Sequence, residues 1–523
     1  MLLENGFGVV KFPTTATLTV VLALALSGCG LFGDKPEALP SPTLSPSPMG
    51  TPSESEPAPV PDLTRFYEQK VSWKACQGDN MCARIKVPLD YEKPRAKSIS
   101  LALIKVPARS KSQRVGSLVV NPGGPGGSGI DFAAQSAYYF GSEVQQAFDI
   151  VGFDPRGVGK STPVQCLSDA EIDEFVSSDP DPDNAAEIAR GDELLAGFGD
   201  GCVSRSGDLA AHVSTVEAAK DIDIIRAVLG DKKLTWFGAS YGTFLGATYA
   251  ELFPRRVGRM VLDGAIDPSL STEEMSLVQA EGFETALRAY VGHCVDAGNC
   301  FLGRSVDAGT KRIRQFLDDV EKSPLQGSSG RELAAGNAVL GIWAPLYSEG
   351  NWPALDSALK AAFEGSGGSL LALSDLYTSR GPSGYDDNSI EALYAINCLD
   401  HDDSVPASEA VALVPKFERD APTFGAIFAY GLASCSQWPI HTGRVPEPIH
   451  AKGAAPILVI GTTRDPATPL EWAEALASQL ESGILVRRDG DGHTGYNAGN
   501  DCVDDVVESY LVSGKTPRRD VDC

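Results

Sequence analysis

Histidine is scarce in this sequence, with six among 523 residues, so any imidazole chemistry must use one of very few positions. Positive charge is also short: 44 Lys and Arg stand against 69 Asp and Glu, for a formal net charge of −25. Such a surface repels phosphate backbones and excludes nucleic acid as a partner, while it favours solubility and, mildly, cationic ligands such as free amines. No CxxC or HxxxH pair occurs, so no metal site and no other cofactor is expected. The glycine-rich stretch 121–129 lacks the Gly-Lys-Ser/Thr ending of a phosphate-binding loop. There is no internal repeat. Long apolar runs are missing too, apart from Ala16 to Leu26, which is too short to span a bilayer and suits the apolar stretch of a signal peptide.

That run ends in Leu26-Ser27-Gly28-Cys29, which resembles the lipobox of bacterial lipoproteins, where the cysteine becomes the lipidated N-terminus. Residues 30–63 follow, dominated between Asp34 and Pro61 by Pro, Ser, Thr and Glu, and cannot bury enough apolar surface to fold. A semi-rigid tether behind a lipid anchor would hold a globular body off a membrane. The expected location is extracytoplasmic, on the outer face of the cell membrane, with release as a second form; a monomer is expected. Of 11 cysteines, ten remain once Cys29 is set aside, an even number that implies disulfides in an exported protein. Nearest-neighbour order gives Cys76–Cys82, Cys166–Cys202, Cys294–Cys300, Cys398–Cys435 and Cys502–Cys523, although sequence leaves the connectivity open.

Strand-like runs at Ser98 to Val106, Ser117 to Val120, Phe148 to Phe153, Leu234 to Phe237 and Met260 to Leu262 alternate with helical spacing, notably over Thr215 to Leu229. This predicts an α/β protein with a mainly parallel, doubly wound sheet over residues 64–267. From about Pro268 to Tyr394 helical stretches dominate, which predicts a helical cap over 268–395. Strand–helix order resumes at Ala455 to Gly461 and Ile484 to Arg487, and a last helix is expected at Asp501 to Leu511, so 396–523 reads as the C-terminal part of the core.

Gly238-Ala239-Ser240-Tyr241-Gly242 is a G-x-S-x-G sequence between an apolar strand and a helix, the setting of a nucleophile elbow. Ser240 is the candidate nucleophile, and the backbone N–H of Tyr241 would face the developing oxyanion. An elbow Asp would suit an epoxide hydrolase or dehalogenase, which Ser240 excludes. In this architecture the acid and then the base follow the serine. Among the histidines after Ser240, His493 lies in Asp489-Gly490-Asp491-Gly492-His493-Thr494-Gly495, between the last strand and the last helix. Asp465, closing the strand that precedes, is the candidate acid; Asp263 and Asp267, after the Met260 strand, are the rivals. The glycines of the 121–129 loop offer the second oxyanion donor, Gly124 or alternatively Gly123.

The set NPGGPGGSG, GFDPRGVGKS, GASYG, LDGAIDP, GTTRDPATP and GDGHTGY resembles the secreted tripeptidyl aminopeptidases of actinobacteria, relatives of the prolyl aminopeptidases, from about Trp73 to Cys523. The prolyl relatives carry an HGGPG loop; Pro122 stands where their His stands, which places the oxyanion donor on Gly124. The resemblance implies an α/β-hydrolase fold with a helical cap, and peptide substrates shortened from a free N-terminus, often by tripeptides. A carboxylate must then bind the substrate ammonium, with Glu349, Glu391 and Asp400 as candidates. A carboxylesterase or lipase using the same Ser, Asp and His, a prolyl aminopeptidase, and a lipoprotein that binds peptides without cleaving them are the competing readings; the intact set of three residues speaks against the last.

Overall fold

A computed structural model describes residues 61–523; Cys29 and residues 30–60 of the tether lie outside the described residues. In chain order the strands are β1 (Lys74–Ala75), β2 (Met81–Pro88), β3 (Ser98–Val106), β4 (Gly116–Asn121), β5 (Phe148–Phe153), β6 (Leu234–Ala239) and β7 (Val257–Asp263). Two short ribbons come next, β8 (Leu325–Gln326) with β9 (Glu332–Leu333), and β10 (Arg380–Gly381) with β11 (Gly384–Tyr385). Then come β12 (Ile457–Arg464), β13 (Gly483–Asp491) and β14 (Val521–Asp522). Ten of them form one sheet in the order β1-β2-β3-β5-β4-β6-β7-β12-β13-β14. The strands β1, β2 and β3 run antiparallel to their neighbours, and from β5 to β14 every pair is parallel. This is the α/β-hydrolase fold expected from the alternation of strands and helices.

Burial explains why the middle strands read as short continuous apolar runs. Every residue of β4 and of β6 is buried, because helices cover both faces of a parallel sheet. Strand order reverses at β4: the chain steps outward to β5, then returns to the other side of β4 as β6. The carboxyl ends of β4 and β6 flank this switch point, where open α/β sheets place their ligands. The register sets Asn121, at the end of β4, beside Gly238 in β6.

The cap is larger than its sequence signal. It begins with the helix Thr272–Asp296 and runs past residue 395, since the helices Ala407–Asp420 and Gly425–Gly431 pack on Thr272–Asp296. Phe417, Phe424 and Phe428 share one apolar cluster with Phe283 and Trp343. The boundary expected at 395/396 is therefore corrected: the chain returns to the sheet only at β12. The helices Asp169–Ser177 and Ala185–Ser206, between β5 and the helix Thr215–Val228, also lean on cap helices. Five disulfides join the described cysteines, Cys76–Cys82, Cys166–Cys202, Cys294–Cys300, Cys398–Cys435 and Cys502–Cys523, in nearest-neighbour order. Among the described residues no helix is long and apolar enough to cross a membrane.

Candidate active site

Ser240 stands between β6 and the helix Tyr241–Leu252 with φ 53° and ψ −124°, a conformation a non-glycine residue adopts only when its surroundings hold it. Three bonds do so. Its N–H donates to the Asp263 carbonyl at 2.9 Å, and its own carbonyl accepts from Thr243 N–H at 2.8 Å and Thr243 Oγ1 at 2.6 Å. The flanking glycines are required by space: a Cβ on Gly238 would lie 2.1 Å from the Gly242 carbonyl oxygen, and one on Gly242 would lie 2.8 Å from that of Asn121. The turn is thus wedged between the ends of β4 and β7.

His493 and Asp465 meet 28 residues apart in sequence, with Nδ1 at 2.8 Å from both carboxylate oxygens and side chains 2% and 0% exposed. Asp465 is itself held in place. Its Oδ1 accepts the N–H groups of Ala467 and Thr468 at 2.9 Å, and its Oδ2 accepts Thr468 Oγ1 at 3.1 Å and Thr494 N–H at 3.2 Å. The imidazole stands edge-on to the Tyr347 ring, 5.4 Å between centroids, and its backbone N–H donates to the Tyr347 carbonyl at 2.9 Å. A Cβ on Gly264 would lie 3.1 Å from His493 Cε1. Gly264 directly follows Asp263, whose carbonyl holds Ser240. The ring edge carrying Cε1 therefore faces the segment that anchors the elbow, and Nδ1 is committed to Asp465.

The rival acids have other partners. Asp263, 1% exposed, accepts the N–H of Gly495 at 2.7 Å and of Tyr496 at 2.9 Å. Burial pushes its carboxyl up to about 6, and those two N–H groups oppose the rise. Asp267 accepts from Ser269 N–H at 2.9 Å, Ser269 Oγ at 2.7 Å and Gln479 Nε2 at 2.6 Å.

The loop after β4 turns on glycines. Gly123, Gly124 and Gly126 have φ of 106°, 110° and 99°, and a Cβ on Gly124 would lie 2.9 Å from the backbone nitrogens of both Gly126 and Gly127. Asn121 Oδ1 accepts the Gly123 N–H at 3.0 Å, which pins the loop against the elbow. Tyr241 opens the elbow helix, so its N–H has no acceptor in a preceding helical turn. Its hydroxyl meets Thr215 Oγ1, which also donates to Asp400 Oδ2 at 2.5 Å.

Two of the three expected amine-binding acids have partners within the chain. Glu391 is buried, and its Oε1 accepts the backbone N–H groups of Cys166 and, at 3.0 Å, Leu167. Asp400 is buried as well; it pairs with Arg444 at 2.8 Å and accepts Thr215 N–H at 3.0 Å. Glu349 is exposed, two residues beyond Tyr347, on the rim of the His493 loop. Sequence reasoning missed Thr468 and Tyr347. Thr468 had a signal, a hydroxyl three residues after a candidate carboxylate; Tyr347 had none, because its contact with His493 spans the cap and the core.

A cavity of about 330 Å³ lies between cap helices and the segment joining β5 to β6, walled by apolar side chains including Phe175, Met275, Val339, Trp343, Leu393 and Phe428; Ser240, Asp465 and His493 are not among its lining residues. Three contacts link its surroundings to residues near the site. Gln279 Nε2 donates to the Ala467 carbonyl at 2.6 Å, beside Asp465. His401 stacks on Phe244 of the elbow helix at 6.3 Å. The helix Ser389–Asp400 lines the cavity and packs on the loop after β4, where a Cβ on Gly126 would lie 2.6 Å from the Ser389 carbonyl oxygen.

Comparison with known proteins agrees with the fold. Residues 421–523 match the family described as TAP-like protein, and residues 116–320 match the alpha/beta hydrolase fold family. The chain is 37% identical over 481 residues to the serine protease Hip1 of Mycobacterium tuberculosis, covering 87% of this chain and 91% of that one. It is 36% identical over 450 residues to carboxylesterase B of the same organism, covering 84% and 86%. It is 32% identical over 475 residues to the tripeptidyl aminopeptidase of Streptomyces lividans, covering 87% and 86%.

Proposed function

The chain belongs to the TAP-like α/β hydrolases and is a serine hydrolase, and on that premise we propose that it is an exported exopeptidase releasing short peptides, tripeptides foremost, from free N-termini. The observation that carries the reaction class is the bidentate Asp465–His493 pair at 2.8 Å, beside the strand end that holds Ser240 at the elbow. Ser240 Oγ attacks the scissile carbonyl as His493 Nε2 takes its proton. The oxyanion forms against the N–H groups of Tyr241 and Gly124, donors of a kind worth several kcal/mol (about 3–4 for one donor) in such sites. Asp465 accepts from Nδ1–H, which fixes the ring's tautomer, and stabilises the imidazolium. His493 then protonates the departing amine, water takes the vacated place, and the same base activates it to free the peptide from Ser240.

The relatives named serine protease and tripeptidyl aminopeptidase support peptide bonds as the target. A second reading, carboxylesterase, is favoured by the relative of that name and by the apolar wall of the cavity. For export, the Cys29 lipobox supports a lipid anchor, and the five disulfides suit an oxidising compartment. A panel of mono-, di- and tripeptide anilides with free and acetylated amines, beside a short-chain ester, tests the reading. Free tripeptides turned over best, with kcat/KM well above their acetylated forms, are expected; a free-to-acetylated ratio near one with faster ester hydrolysis would overturn it.

A further inference from the structure

The cap reaches both halves of the acid–base pair, from two separate elements. On the acid's side, the helix Thr272–Asp296 lies against the turn that carries Asp465. A Cβ on Gly282 would lie 2.8 Å from the Pro466 carbonyl oxygen and 3.1 Å from that of Asp465, and Gln279 Nε2 donates to the Ala467 carbonyl at 2.6 Å. On the base's side stands Tyr347, the C-cap of the helix Ala335–Leu346. Its carbonyl accepts the His493 N–H at 2.9 Å. Gly492, with φ 97°, lets the loop come this close: a Cβ there would lie 2.9 Å from the Tyr347 carbonyl oxygen and 3.4 Å from Ser348 Cα.

Tyr347 is itself anchored in the cap. Its hydroxyl lies 3.1 Å from that of Tyr377, a fully buried residue of the helix Gly368–Tyr377, and its ring packs edge-on to Phe283 at 5.9 Å between centroids. Phe283 packs in turn on Trp343, Phe424 and Phe428. An aromatic path thus leads from the interior of the cap to the imidazole, whose centroid is 5.4 Å from that of Tyr347 with the ring planes at 88°, a favoured geometry for such pairs. The Asp465 carboxylate holds the imidazole at one corner, Nδ1. A ring held at that corner and at its Cβ still rocks, and a perpendicular ring packed beside it narrows the motion.

We infer that Tyr347 is a positioning residue for the base: through its ring and its carbonyl the cap holds His493 in the orientation that proton transfer with Ser240 requires. The inference rests on the reading of Ser240, His493 and Asp465 as nucleophile, base and acid, and it applies equally to a peptide and to an ester substrate. Tyr347 acts through His493 and is assigned no contact with the substrate. Its loss therefore falls on the chemical step, where a misplacement of about 1 Å can cost roughly 10²-fold in rate, and leaves substrate binding nearly as it was. The ring, and not the hydroxyl, is the part that meets the imidazole, so phenylalanine should serve in its place.

The test compares wild type, Tyr347→Phe, Tyr347→Leu and His493→Ala as full chains, after thermal melts establish folding. Tyr347→Met, which fills the space without a ring, replaces Tyr347→Leu if that variant does not fold. Two quantities are read: kcat and KM on a free tripeptide anilide and on a short-chain ester, and the rate at which an organophosphorus acyl-analogue labels Ser240, which bypasses peptide binding. Tyr347→Leu is expected to lower kcat roughly tenfold or more on whichever substrate wild type turns over, with KM within about threefold, and to slow labelling to a similar degree. Tyr347→Phe is expected to stay within about threefold of wild type throughout. Wild-type kcat and labelling in Tyr347→Leu overturn the assignment. A loss carried by KM with labelling unchanged also overturns it, since Tyr347 would then touch the substrate and not set the base. An equal loss in Tyr347→Phe overturns it too, because the hydroxyl would then carry the effect. Labelling of His493→Ala as fast as wild type removes the base assignment itself, a failure distinct from these three.

Discussion

Asp263 Oδ2 accepts the backbone N–H of Tyr496 at 2.9 Å, across 233 residues of sequence, and so fixes the loop that carries His493. The ring is oriented by a different carboxylate, Asp465. Two buried acids thus divide the work around one histidine, one holding the imidazole and the other the backbone just beyond it.

That division predicts unequal variants. Asp465→Asn presents an amide to Nδ1 and favours the wrong tautomer, at a cost of roughly 10⁴-fold in kcat. Asp263→Asn turns one N–H acceptor into a donor facing an N–H, which loosens the loop by about 1–3 kcal/mol and lowers kcat far less. Steady-state kinetics of both proteins, with melts as a control, decide it; a larger catalytic loss in Asp263→Asn would mean that the acid is misassigned.

Asp263 also makes a pH prediction. Its folded carboxyl is raised from 3.8 to about 6, so between those values the unfolded chain ionises while the folded one stays protonated. A raised acid contributes most stability below pH 4 and loses that contribution as pH rises through 6, by about 3 kcal/mol. Asp263→Asn lacks this loss. The melting temperature of the variant minus that of wild type should therefore move upward between pH 4 and pH 7. A downward move contradicts the assigned direction.

Asp400 is predicted to act on the elbow and not on the substrate amine. Arg444, Asp400, Thr215 and Tyr241 form a continuous chain that ends at Tyr241, the proposed oxyanion donor. Asp400→Asn should lower kcat and the melting temperature, because removing one partner of a buried pair is costly. The free-to-acetylated peptide ratio should stay within about threefold of wild type. A collapse of that ratio would return Asp400 to the role that the sequence suggests.

Much of the fold and of the site is legible in the amino-acid sequence itself. The elbow and the candidate acid each lie at the end of an apolar strand and the candidate base just after β13, and a strand ending in Gly-x-Ser-x-Gly or in a Gly–Asp loop states its place in a parallel sheet. Cysteine pairing follows nearest neighbours because every pair closes a local loop, from six residues in Cys294–Cys300 to 37 in Cys398–Cys435. The cap is less legible. Its helices beyond residue 395 bury Phe417, Phe424 and Phe428 against Phe283 and Trp343, far away in the chain, and local spacing carries no trace of such contacts. The same limit hides the uses of Glu391 and Asp400: a buried carboxylate and a solvated one look alike in sequence, and only the donors around them tell them apart.

The central claim is that Ser240 is the nucleophile and that His493 and Asp465 activate it. Its most direct measurement is covalent trapping with an organophosphorus acyl-analogue, followed by peptide mass spectrometry. Wild type should lose activity with one adduct per chain, on the peptide containing Ser240; Ser240→Ala should take no adduct, and His493→Ala should take it more slowly by orders of magnitude. Inactivation with the adduct on another residue, or unchanged labelling in His493→Ala, would contradict the account.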